Sequence, residues 1–401
     1  MHIELLTIGD ELLNGVVADT NATWLAERLW AHGVQVSRCT TVPDDIERLT
    51  TTLRDIGQRA DICLCTGGLG PTPDDVTVDA LARAAEVDVE FDETVWTGIL
   101  ARYGDRTPPA CNRRQARVPV GARVLPSSVG TSPGLDVTIG RCRMLAVPGV
   151  PREMKWHFEN HLRPLLERQG ADALVGRHLR FAGIGESTLA ERIAGLTLPE
   201  DVEVAYLTRM PENHVRLRGN DDHAVNRAAE MIIALAPKCF VGEGEEGLVE
   251  SLLKTLEAKG LTIGTAESCT GGLIGSAITA VPGSSSVFVG GIISYANAVK
   301  RDALAVSETI LDTDGAVSEA CAEAMAQGAR RTLGCDVAIS VTGIAGPGGA
   351  RPGKPVGTVC FGWAGAGLDG TARRVFRGDR DRVRVQALGY ALDYVRRGLR
   401  D

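Results

Sequence analysis

The sequence predicts an α/β protein in three parts: two helix-covered α/β domains at the ends, the first on a mostly parallel sheet, with a small α+β unit between them. Three observations predict it. Short apolar strands alternate with amphipathic helices up to about residue 170, and the same rhythm returns after residue 245. Between these stretches two strands follow one another without a helix. Glycine turns close three of the strands, at 66–71, 270–275 and 342–347.

Taken in order, Ile3–Ile8 is a short apolar run. Thr20–His32 then places Leu25 and Leu29, with Ala22 and Ala26, at helical spacing before Gly33. Val34–Thr40 reads as a strand. Asp44–Gly57 reads as a helix with Ile46, Leu49, Leu53 and Ile56 on one face, and Ile62–Cys65 as a third strand. Met144–Val147 enters the turn PGVPREM and another helix. The middle unit runs from strand His178–Ala182 through GIGES to helix Ser187–Ala194. Strands Val202–Thr208 and His214–Arg218, helix Ala224–Leu235 and strand Cys239–Val241 complete it. GEGEEG (242–247) reads as a linker. Beyond it come helix Leu248–Lys259, strand Thr262–Ala266, the Ala-rich helix Val317–Leu333, strands Val337–Val341 and Val356–Trp363, and a closing helix Val383–Val395. The domain boundaries expected from this are 1–170, 171–244 and 245–401.

Composition narrows the function classes. A net charge of −8 argues against a dedicated nucleic-acid or membrane-surface binder. No apolar run reaches the ~18–20 residues that span a bilayer. Glu4, Asp10 and Glu11 beside the first apolar run do not suit a signal peptide, so a cytoplasmic location is expected. The 10 cysteines lack CxxC pairs and histidine partners at metal spacing, and read as reduced, mostly buried thiols.

The stretch Thr265–Lys300 concentrates hydroxyls: Ser268, Thr270, Ser284, Ser285, Ser286 and Tyr295, with Lys300 at its end. No histidine follows residue 245. Nucleophilic chemistry built within this domain therefore requires a serine activated by lysine or tyrosine, not a Ser-His-Asp triad. The chain's 43 basic residues include only the lysines 155, 238, 254, 259, 300 and 354, so a lysine inside a motif is less apt to be a generic surface charge. As a base, Lys300 needs its pKa lowered from ~10.4 towards ~7, about 4–5 kcal/mol of differential stabilisation. Tyr295 is spaced to relay the proton or to fix the lysine. Ser268, Thr342 and Tyr295 all follow predicted strands, which gathers them on one sheet edge. The glycine turns offer backbone donors. Among Arg377, Arg380, Arg382 and Arg384, near a helix start, one or two could clamp a phosphate.

Spacing leaves the attacking serine open between Ser268 and Ser285. A continuous strand over 286–294 would hold Ser285 and Tyr295 roughly 30 Å apart, so they would meet only across a subunit boundary. The alternative is that Gly290-Gly291 lets Ser284–Val289 fold back as a helical turn ahead of a strand from Ile292.

In the first domain, Gly67, Gly68 and Gly70 between a strand and a helix suit an anion, and Gly9-Asp10-Glu11 opens on the same edge. Asp74 and Asp75 either hold a divalent metal that bridges the anion or cap the helix.

GDELLNG (9–15), TGGLGPTPDDVT (66–77) and PGVPREM (148–154) resemble the molybdopterin-binding-like domain of the CinA family. AESCTGG, GSS, SYANAVK, GAVSE (315–319), TGIAGPGG (342–349) and KPVGTV (354–359) resemble that family's C-terminal domain, in order and over nearly the whole chain. The resemblance implies an N-terminal three-layer α/β/α domain with ADP-ribose pyrophosphatase activity. Its site would use Asp10, Glu11, Asn14, Thr66, Gly67, Gly68 and Gly70, with a divalent metal (Mg, Mn or Co, with K as a further ion) on Asp74 and Asp75. It implies a KH-type α+β middle domain. It also implies a C-terminal α/β amidase, without a cofactor, that hydrolyses nicotinamide mononucleotide to nicotinate mononucleotide and ammonia. There Ser285, Tyr295 and Lys300 would be catalytic, and Ser268, Thr270, Gly271, Gly272, Asn297, Thr342, Gly343, Gly346, Arg380 and Arg384 would contact substrate. A homodimer is expected. GIGES carries Glu186, and Glu191 follows, where a nucleic-acid-gripping GxxG loop wants basic flanks. A structural or dimer-spacing role is therefore expected for the middle unit. The competing reading is a non-catalytic pterin-type carrier joined to an adaptor for competence or DNA-damage factors.

Overall fold

The computed structural model describes residues 1–168 and 175–400, which form two compact units, Met1–Gly176 and Arg177–Asp401. The boundary expected at 170/171 lies outside the described residues.

The first unit is built on a six-stranded sheet. Its strands are β1 (Ile3–Ile8), β2 (Val36–Val42), β3 (Ile62–Thr66), β6 (Arg123–Leu125), β7 (Gly134–Ile139) and β8 (Cys142–Val147), with β4 (Val89–Phe91) and β5 (Arg117–Pro119) paired apart from it. The order is β2-β1-β3-β8-β7-β6; β1, β2, β3 and β8 run parallel, β7 returns antiparallel to β8, and β6 pairs antiparallel with β7. Alternation along β1 sends Ile3 and Leu5 into one core with Leu25, Leu29 and Phe158, and Leu6 and Ile8 into another with Leu49, Leu53 and Leu81. Helices thus cover both faces, giving the three-layer α/β/α arrangement.

The second unit holds two sheets. The smaller orders β10 (Glu203–Arg209), β11 (Glu212–Gly219), β9 (Val175–Ala182) and β12 (Phe240–Glu243) as β10-β11-β9-β12. The larger orders β13 (Ile263–Glu267), β14 (Phe288–Ile293), β15 (Val337–Gly343), β16 (Thr358–Ala364) and β17 (Gly370–Val375) as β14-β13-β15-β16-β17. Strands β14, β13 and β15 are parallel neighbours, so their C-terminal ends open on one edge, while β16 pairs antiparallel with β15 and β17 antiparallel with β16.

The segment 242–247 is not a free linker. Gly242 and Glu243 continue β12, the Glu243 carboxylate pairs with Arg177, and Arg180 Nη1 donates to Glu245 O at 2.9 Å. The fully buried Arg396 of helix Arg380–Gly398 donates to Phe240 O and Lys238 O, both at 2.9 Å. Satisfying those carbonyls ties the small sheet to the closing helix. No described helix is long and apolar enough to cross a membrane.

Candidate active site

The edge of the larger sheet gathers a serine and a buried amine. Ser268 is the first residue after β13, and Lys300 lies in helix Asn297–Leu304, which follows β14. Lys300 is 1 % exposed, and its Nζ lies 2.5 Å from Ser294 O, 3.0 Å from Ser268 Oγ and 3.4 Å from Tyr295 O. Burial lowers the Lys300 pKa, opposed by the nearby thiols of Cys321 and Cys269. Those thiols stay protonated at neutral pH: burial pushes Cys269 up to about 12 and raises Cys321. Among the described residues no carboxylate pairs with Lys300, so its ammonium form would be a buried charge with only neutral partners there. Its Nζ donates to Ser268 Oγ and to both carbonyls; once deprotonated, it would turn a lone pair to the Ser268 hydroxyl, as a general base requires.

Glu267, which the sequence reading passed over, fixes the turn that carries Ser268. It is 2 % exposed, and its carboxylate accepts from Gly272 N (3.0 Å), Ile274 N (3.1 Å) and Gly275 N (2.9 Å), with Thr265 Oγ1 at 3.3 Å. The protein thus fills the start of helix Leu273–Thr279 with its own anion. The signal was present in AESCTGG: an acid after a strand and five residues before the glycine that opens a helix.

Several expected roles change. Gly271 N donates to Ser268 O and Gly272 N to Glu267, so neither amide is a free phosphate donor. The buried Thr342 hydroxyl donates to Ala316 O, and Gly343 completes β15 opposite Val359. Tyr295 touches Lys300 through its carbonyl only; its ring is 63 % exposed and its hydroxyl accepts from Arg380 Nη2 at 3.2 Å. A relay through that phenol within one chain is not built. Arg380 also donates to Gly346 O and Arg384 to Thr270 O, which places both arginines beside the glycine turns that follow β13 and β15. The Thr270 hydroxyl is buried without a hydrogen-bond partner among the described residues, and Asn297 is exposed.

Ser285 lies away from Lys300 within one chain. The helical turn is confined to Ser284–Ser286 and the strand begins at Phe288, not Ile292, so the fold-back is absent. Six residues of strand, roughly 20 Å, separate Ser285 from the end that carries Lys300. Within one chain, the hydroxyl beside the amine is Ser268.

The first unit has its own cleft, about 460 Å³, lined by Gly67, Gly68, Gly70, Glu11, Asp44 and Asp74 among others. Gly67 N donates to Val147 O and Gly70 N to Asp75 Oδ1, so these amides face inward to the protein. The buried Thr66 hydroxyl donates to Pro148 O and accepts from Asn21 Nδ2; Asn14 is exposed at the end of the short helix Asp10–Leu13. Asp75 accepts from Gly70 N (2.6 Å), Thr72 N (2.7 Å) and Thr72 Oγ1 (2.5 Å), so it caps the turn and is not free to ligate a metal. Among the described residues no three carboxylate, imidazole or thiol groups converge as a metal cage. Asp44, which the sequence reading placed only at a helix start, accepts from Asp10 N, and burial with the charges of Asp10, Glu11 and Asp74 raises its pKa.

Fold and site together define a class: a chain with a molybdopterin-binding-like unit, a KH-type sheet and an α/β unit with a buried serine–lysine contact. Residues 4–168 match the family described as "Probable molybdopterin binding domain", 176–236 the "Damage-inducible protein CinA KH domain" and 245–399 the "CinA C-terminal domain". The chain is 42% identical over 408 residues to a CinA-like protein of Citrifermentans bemidjiense, covering 100% of this chain and 98% of that one. It is 43% identical over 417 residues to one of Parasynechococcus marenigrum, covering 99% and 98%. Among solved structures, a CinA protein of unknown function from Thermoplasma acidophilum is 32% identical, with 41% of this chain and 97% of that chain covered and a TM-score of 0.39. The chain belongs to the CinA family.

Proposed function

We propose that the Ser268–Lys300 centre is an amidase centre that hydrolyses nicotinamide mononucleotide to nicotinate mononucleotide and ammonia. The observation that carries this is a 1 % exposed amine, 3.0 Å from a serine hydroxyl and without a carboxylate partner. Ser268 Oγ attacks the carboxamide carbon as its proton passes to the Lys300 lone pair. The resulting ammonium returns that proton to the departing nitrogen, which leaves as ammonia. Water then cleaves the acyl-serine with the same amine as base, releasing the carboxylate. Arg380 and Arg384 at the rim retain guanidinium donors for the 5′-phosphate.

A second reading keeps Ser285 as nucleophile, supplied by a second copy of the chain. Val289, Ile293, Tyr295 and Val299 on and beside the edge strand β14 are 47 %, 55 %, 63 % and 37 % exposed, an apolar stripe that a homodimer would cover. Ammonia release from nicotinamide mononucleotide tests both. Loss in Ser268→Ala with activity kept in Ser285→Ala supports the first. Loss in Ser285→Ala, restored by mixing with Lys300→Ala, supports the second. No ammonia from the unaltered chain refutes the amidase and favours an adaptor.

For the N-terminal cleft the proposed activity is ADP-ribose hydrolysis, with Asp44 and Glu11 as the carboxylates at the cleft wall. Loss of that hydrolysis in Asp44→Asn is the expected result; full retention contradicts it.

A further inference from the structure

Helix Arg380–Gly398 presents two working faces. Arg380 and Arg384, one turn apart, reach Gly346 and Thr270 at the active site. Arg382, Gln386 and Tyr390, also spaced by four, line a different cleft of about 510 Å³, walled on its far side by the GIGES turn and the β10–β11 hairpin. We propose that this second cleft is a ligand site for a planar heterocycle carrying one phosphate, of mononucleotide size, separate from the Ser268–Lys300 centre.

The frame of the cleft is already satisfied. Asp393, 5 % exposed, holds Arg396 and Arg397, and Glu212, 6 % exposed, accepts from Arg180 Nε and Leu248 N. These buried carboxylates are therefore neutralised and structural. Gly389 lets the hairpin tip close the floor, since a Cβ there would lie 2.3 Å from Pro211 Cβ. What remains unengaged points to a ligand. The Arg382 guanidinium makes no hydrogen bond or ion pair with a described residue. Its stem lies over Gly378, where a Cβ would come 2.6 Å from Arg382 Cδ and where φ is +123°. The Tyr390 hydroxyl is likewise without a hydrogen bond to a described residue; its ring packs against Phe361 and under the Arg374 guanidinium, 4.9 Å from the centroid, and meets Phe376 edge-on at 6.4 Å, so Tyr390 and Phe376 form an aromatic wall of the cleft. The volume lies in the ~300–1,000 Å³ range of small-ligand sites. Asn213 Nδ2 donates to Ile184 O and Thr208 Oγ1 to Glu186, so the GIGES turn is tied to the hairpin, and Glu186 at the mouth repels a polyanion. A single phosphate suits this site better than a nucleic-acid strand.

Calorimetric titration of the full chain with adenosine 5′-monophosphate, adenosine and inorganic phosphate tests this, and does not depend on the amidase reading. The monophosphate should bind more tightly than either fragment. Arg382→Ala should weaken it about tenfold, the loss of one charge-assisted contact. Tyr390→Leu should also weaken it, Arg382→Lys should restore part of the affinity, and Lys300→Ala should leave it unchanged. No heat at millimolar monophosphate, equal affinity in Arg382→Ala, or loss in Lys300→Ala would each overturn the proposal.

Discussion

Removing the charge of Glu267 should unfold the turn that aims Ser268. The carboxylate accepts from Gly272 N, Ile274 N and Gly275 N, all within 3.1 Å. In Glu267→Gln the remaining oxygen can keep at most the Gly272 and Ile274 bonds, and these fall from charge-assisted to neutral strength, about 1 kcal/mol each. The new amide nitrogen faces the Gly275 N–H, leaving a donor unmatched at about 1–3 kcal/mol. The total is about 3–5 kcal/mol, or roughly 10 °C in the midpoint of a unit of this size. Thermal and denaturant unfolding of the full chain, followed through the second unit, measures it. A variant within about 0.5 kcal/mol of wild type would show that the three amides find other acceptors, and the account of the turn would fail.

Other outcomes follow from the same geometry. Arg380→Ala should raise KM for nicotinamide mononucleotide about tenfold with a smaller change in kcat, as expected for a phosphate contact that is equal in ground and transition states; an unchanged KM refutes that role. Asp75→Asn should destabilise the first unit by about 1–3 kcal/mol, because it disturbs the bonds from Gly70 N and Thr72 N; unaltered unfolding there contradicts the turn-capping role. Because burial lowers the Lys300 pKa, ammonia release should rise with pH through a value below the ordinary 10.5. Lys300→Arg, which cannot deprotonate, should abolish it; a pH-flat profile or an active arginine variant removes the base.

Much of the architecture was legible because periodicity reports burial. Ile3–Ile8 and Leu248–Lys259 have the bounds that their apolar spacing implies. The lysine was legible through scarcity, and its environment is the buried one that a base requires. Strand β14 was not, since Gly290 and Gly291 read as a break, yet Gly291 pairs in register with Thr265, where a Cβ would meet the Thr265 hydroxyl at 2.5 Å. Glycine there permits close packing and does not bend the chain back. Asp75 and Glu267 were misread or missed for one reason. A carboxylate that accepts from its own turn has the same sequence signature as one that awaits a ligand, and only the hydrogen-bond partners separate them.

The central claim is that Lys300, held below the ordinary lysine range by burial, gives up its proton where serine chemistry needs a base. With only six lysines in the chain, Cε-labelled lysine gives a carbon NMR spectrum in which each amine can be titrated and Lys300 assigned by its loss in Lys300→Arg. The account predicts that the Lys300 resonance titrates below the ordinary lysine value of ~10.4. A Lys300 resonance titrating at that ordinary value or above it would contradict the account.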